Sequence, residues 1–130
     1  MIRLSAVLLC LLLALPAIAD PAQQIVDGQA ALQAGDADAA ARLWEEAAIA
    51  DVQESYHLLV SLYESGPDPS PVQAFKWAWI GQARTWEPTL TKRASQDYDR
   101  LQDSVRRDVR QQGREMAEAW LKKHPRPSPP

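Results

Sequence analysis

The chain has 130 residues, a formal net charge of −3 and an apolar fraction of 46%, enough for one small domain. Its one cysteine, Cys10, sits inside an apolar N-terminal run, so the rest of the chain can form no disulfide, thiolate nucleophile or cysteine-ligated metal site.

Residues 1–19 read as an export signal. Arg3 gives a short positive start, Leu4 to Leu15 is almost unbroken apolar chain, and Pro16 precedes Ala17-Ile18-Ala19, with small residues where a signal peptidase reads them. The apolar run is shorter than the roughly 20 residues of a membrane span. Cleavage after Ala19 is expected, leaving a periplasmic or secreted chain with no stable membrane insertion.

Six helices are expected beyond that point. The first covers about 22–34 and ends at Gly35-Asp36; the second starts from Asp38 as N-cap and runs through Ala50. Asp51 opens a third, with the stripe Val52, Tyr56, Leu59, Leu62 and Tyr63, closed by Gly66. The segment Gly66-Pro67-Asp68-Pro69-Ser70-Pro71 cannot be helical, and Ser70-Pro71 makes an N-cap and N1 pair for a fourth helix over about 71–84. That helix is apolar nearly all round, which demands cover on several sides. Two more helices, about 90–102 and 104–124, present Ala94, Tyr98, Leu101, Val105, Val109, Met116 and Trp120 at helical spacing. They are expected to fold back as a capping hairpin over Phe75, Trp79 and Ala83. Residues 125–130 are too proline-rich to continue a helix and are expected to be a disordered tail.

The chain repeats itself. Ile25, Gly28, Leu32 and Gly35 share the spacing of Tyr56, Leu59, Tyr63 and Gly66 at an offset of 31, and Ala41, Trp44, Ala47 and Ala48 match Ala74, Trp77, Ile80 and Gly81 at an offset of 33. A period just above 30 residues, built as an apolar stripe, a glycine break and an Ala-x-x-Trp stripe, signals stacked helical hairpins. Gly35 and Gly66 are C-caps on this reading. Trp44 and Trp77 fill grooves beside small residues such as Ala74.

Leu59-x-x-Leu62-Tyr63-x-x-Gly66 followed by Ala74-x-x-Trp77 resembles the Sel-one-like repeat, a relative of the tetratricopeptide repeat. The likeness covers about residues 22–84. It departs from the family where Pro67-Asp68-Pro69 replaces the usual loop glycine and valine, and Leu32-x-x-Gly35-Asp36 is closer to a plain tetratricopeptide unit. The resemblance implies an all-α fold, an α-solenoid of about two repeats plus a C-terminal capping hairpin, used for protein–protein contact. It carries no catalytic residue over.

Charge divides along the chain: residues 20–75 hold ten acids and one base, residues 76–130 twelve bases and seven acids. Arg106, Arg107, Arg110 and Arg114 interleave with Asp103, Asp108, Glu115 and Glu118, the pattern of a solvated helix face rather than a nucleic-acid stripe.

Catalytic signals are missing. His57 and His124 have no metal-ligand spacing, and neighbouring Glu45 and Glu46 point about 100° apart on a helix. No Ser/His/Asp grouping is visible in the sequence, and no cofactor is implied. Trp79 faces a different side of its helix from Trp77, and Trp86 lies just past the helix end; these two are the candidates for binding. The expected function is a non-catalytic, monomeric periplasmic interaction module for an envelope protein or peptide. The alternative is an envelope glycan or peptidoglycan reader with an aromatic groove.

Overall fold

The computed structural model describes residues 20–126; the expected export signal and the last four tail residues lie outside the described residues. Six helices make up the fold, with no strand among the described residues: α1 (Pro21–Gln33), α2 (Ala37–Ile49), α3 (Glu54–Ser65), α4 (Pro71–Arg84), α5 (Pro88–Ser104) and α6 (Arg107–Lys123). The chain is all-α.

Local chemistry sets the boundaries. Asp20 caps α1 by accepting from the Ala22 N–H at 3.0 Å, and Ser70 caps α4 by accepting from Gln73, with Pro71 in the first turn. The cap of α2 is Asp36, which accepts from the Ala39 N–H at 3.0 Å, and not Asp38, which lies inside the first turn. Asp51 does not open α3. It has φ 59° and closes α2, with its own N–H on the Ala48 carbonyl and the Val52 N–H on Ala47. Gly35 closes α1 by the same pair of hydrogen bonds at φ 85°, its own N–H on Leu32 and the Asp36 N–H on Ala31. Asp51 therefore does at one turn what Gly35 does at the other, because aspartate tolerates the left-handed region better than most residues.

Gly66 ends α3 by another route. Its backbone is extended, at φ −78° and ψ −173°, and its N–H reaches the Leu62 carbonyl. A Cβ there would lie 2.2 Å from that carbonyl oxygen, so close approach selects glycine.

Helices α1 to α4 pack in chain order, each on the next. The two tryptophans of the internal repeat are core residues, Trp44 and Trp77, with Leu59, Ile80 and Ala74 fully enclosed around them. Their environments differ. Trp44 donates its indole N–H to the Ile25 carbonyl at 3.2 Å, lying so close to Gly28 that a Cβ there would meet its Nε1 at 2.3 Å. At the matching place in the second repeat stands Leu59. Leu59 is fully buried, and the buried Trp77 N–H finds no acceptor among the described residues. Trp77 instead meets Trp120 edge-on, with ring centres 5.3 Å apart.

Helix α4 is covered as its composition demands, but not by a packed hairpin. Both α5 and α6 lie on α4, α5 also touches α3, and α5 and α6 scarcely touch each other. They straddle α4. Leu101 is buried, Tyr98, Val105 and Trp120 pack against the core, and Val109 and Met116 are only half-buried. The closest approach of α6 to α4 runs instead through Gly113 and Ala117, both buried; a Cβ on Gly113 would press on the Val72 carbonyl at 3.0 Å. Ala83, expected beneath the cap, is exposed.

The segment after α6 is tied down at its start. The Arg126 guanidinium donates to the Arg84 carbonyl and pairs with Asp51 at 3.3 Å, so this part of the expected tail is anchored. Arg84 is buried, donates to the His124 carbonyl and lies over the Trp120 ring.

Candidate functional site

Because α5 and α6 diverge, a groove opens between them with α4 as its floor. Phe75 and Trp79 from α4 and Tyr98 from α5 form that floor as one aromatic cluster, with ring centres 5.8 to 6.4 Å apart. The space encloses about 520 Å³, and α6 supplies its basic rim through Arg107, Arg110 and Arg114. The Arg114 guanidinium stacks 4.8 Å over the Trp79 ring.

The rim carries carboxylates as well, and all but one of its charges is engaged. Arg114 Nε donates to Glu118 at 3.0 Å, Gln111 donates to Glu115, and Arg110 Nη1 donates to the Gln102 and Val105 carbonyls at the end of α5. Arg107 has no hydrogen bond or ion pair among the described residues. Each guanidinium has five N–H donors, so Arg110 and Arg114 retain donors beyond these contacts.

Of the two residues singled out from sequence, Trp79 lies half-buried in this groove, whereas Trp86 is 63% exposed in the α4–α5 connection and does not line it. Its backbone N–H is held by Gln53 Oε1 at 2.8 Å. The structure does not bring the two into one site. The repeat positions Trp44, Ala74 and Trp77 are core, and Gly35 and Gly66 are helix ends. Tyr63 is half-buried beside Glu45, with its phenol pushed up by burial and then by that carboxylate. It also borders a second, more apolar groove of about 480 Å³ reaching Leu101 and Val105.

A polar network that sequence spacing did not reveal joins α3 to α5. Asp97 is buried. Its Oδ2 meets His57 Nδ1 at 2.6 Å, and its Oδ1 accepts from Arg100, which also forks onto Glu64. Ser61 Oγ stands 3.5 Å from His57 Nε2. The expectation that serine, histidine and aspartate are not grouped is thus corrected, since a fold can assemble residues 40 apart. In this order a carboxylate fixes the tautomer and directs Nε2 at a hydroxyl. Ser61 sits within α3, however, where backbone N–H groups already bond to carbonyls one turn back. The pair of free N–H donors that would stabilise an oxyanion is not formed by such a backbone. The network joins two helices, and His57 remains about a third exposed.

No group of three or more His, Cys, Asp or Glu side chains among the described residues is placed to hold a metal ion. No described helix is long and apolar enough to cross a membrane. Comparison of the chain with protein-family models, curated proteins and solved structures finds no match.

Proposed function

We propose that this protein is an exported, non-catalytic binding module, a short α-solenoid of two helical repeats whose closing helices form a partner groove. The observation that carries the reading is the groove over Phe75, Trp79 and Tyr98 with its arginine rim. Tryptophan, tyrosine and arginine are the residues most enriched where interface energy concentrates, because they combine large contact area with polar reach. A stacked-hairpin array offers such a surface on a rigid frame. The Ser61–His57–Asp97 grouping fits a helix clamp better than a hydrolase, since the α3 backbone at Ser61 offers no free pair of N–H donors.

The test is site-specific photocrosslinking in the cell envelope. A photoreactive residue at Gln111, on the groove wall, is expected to trap a defined envelope protein, and the adduct should disappear when Trp79→Ala is added. Capture at Gln29, remote from the groove, should not depend on Trp79. Binding to purified sacculi in place of a protein adduct would favour the glycan-reading alternative. A signal peptide cleaved after Ala19 would be seen by mass spectrometry as a chain starting at Asp20.

A further inference from the structure

We infer that the occupant of the α5–α6 groove is an acidic peptide segment with an apolar or aromatic anchor; this rests on the binding-module reading and names the partner's chemistry. Three observations on the groove converge. Its floor is aromatic, with Trp79 and Tyr98 half-buried beside the buried Phe75, which suits one apolar side chain inserted between α5 and α6. The polarity of its rim is then decided by which charges are already satisfied. Glu118 is occupied by Arg114, and Glu115 accepts from Gln111, both within α6 itself. Arg107 is unengaged among the described residues, and the Nη groups of Arg114 remain available beside the Trp79 face. A carboxylate entering the groove thus meets unused donors on a rim of three arginines and two glutamates, whereas a cation finds Glu118 already paired and only the Glu115 charge uncompensated.

The setting has the same sign. The part of the chain that carries α5, α6 and most of α4, residues 76–130, holds twelve bases against seven acids. Its field draws an acidic chain toward this face and repels a basic one. The guanidinium fork fits carboxylates two oxygens at a time, so aspartate and glutamate beside the anchor are recognised more selectively than a diffuse negative surface.

The experiment is selection of a displayed random-peptide library on the full-length chain, with the Trp79→Leu variant as counter-selection. The winning peptides are then measured by fluorescence anisotropy against the wild type, Arg107→Glu and Lys123→Glu. Arg107 is exposed and makes no described contact, so its reversal leaves the fold intact; Lys123, at the far end of α6 from the groove, controls for net charge. The expected winners are net negative around one aromatic or aliphatic residue. Arg107→Glu should weaken them by about tenfold, the scale of one charge-assisted contact, and Lys123→Glu much less. Added salt should weaken them as well. Neutral or basic winners that still depend on Trp79 would overturn the acidic occupant and leave the binding-module reading standing. No peptide dependent on Trp79, with soluble peptidoglycan fragments bound instead, would overturn both.

Discussion

His57 and Asp97 meet at 2.6 Å through Nδ1 and Oδ2, and this contact ties α3 to α5 beside the Arg100–Glu64 pair. Asp97 is almost fully enclosed, and both of its oxygens are engaged, one by His57 and one by Arg100. Asp97→Ala leaves a half-buried imidazole and a guanidinium without their shared acceptor. The variant should lose about 2 kcal/mol of stability, read from the midpoint of urea unfolding. His57→Ala and the double variant complete a cycle, and the coupling between the two sites should be a sizeable part of the loss at Asp97, the rest belonging to Arg100. Fully additive effects would show that the contact contributes nothing.

The repeat tryptophans make a second, paired prediction. Trp44→Phe gives up the hydrogen bond to the Ile25 carbonyl, which lies inside α1 and keeps its helical partner. Trp77→Phe removes an indole N–H that has no acceptor to lose. With similar volumes removed, Trp44→Phe should be the more destabilising by about 1 kcal/mol. Trp77→Ala, which opens a cavity against Trp120, should cost roughly 3–5 kcal/mol. Equal losses for the two phenylalanine variants would contradict the difference between the bonded and the unbonded indole.

Glu45 gives a pH dependence. Burial raises its carboxyl above the ordinary value of 4.5, an effect larger than the opposing attraction of Lys76 and the Tyr63 hydroxyl. Between the unfolded and folded values the native state holds the extra proton, so stability falls as pH rises through the folded value. Glu45→Gln removes that titration. The melting temperature of the wild type should therefore decline relative to Glu45→Gln as pH rises from acid toward neutral. The opposite trend would mean that Lys76 attracts the carboxylate more strongly than burial opposes it.

Shortening the chain separates the roles of the last helices. Truncation after Thr85 uncovers Phe75 and Trp77 by removing Leu101, Ala117 and Trp120, and should yield a molten or aggregating chain seen as lost near-ultraviolet dichroism. Removal of residues 127–130 should change little. Removal from Pro125 onward also deletes the exposed Arg126 pairing with Asp51, and should cost well below about 1 kcal/mol.

Helical periodicity made the element count readable and placed Trp44, Trp77 and Leu101 inward, because an apolar stripe reports which face is buried. It does not report which neighbour does the burying. Tyr98 and Trp120 carry the spacing of a packed hairpin, yet α5 and α6 each take a different flank of α4. The close approach rests on Gly113 and Ala117, residues too small to stand out in a hydrophobic pattern. Trp79 was legible as belonging to another layer, while the groove around it depends on the divergence of two helices. Asp51 reads as a helix start because aspartate favours N-caps, and only its left-handed backbone reveals the opposite role. The His57–Asp97 contact spans 40 positions and two helices, a separation at which one sequence offers no pairing signal.

On the solenoid reading proposed above, the straddling of α4 also bears on how the array can grow. Tandem duplication lengthens a solenoid only where a terminal face stays open to receive another hairpin. Here α5 and α6 occupy the faces of α4 that a third repeat would need, and the Arg126–Asp51 pair ties this edge back to the α2–α3 turn. The opposite edge is α1, whose Val26 is 55% exposed. New repeats inserted before α1 would preserve the groove, whereas one placed after α4 would erase it, so any lengthened descendant of this fold should be extended on the α1 side alone.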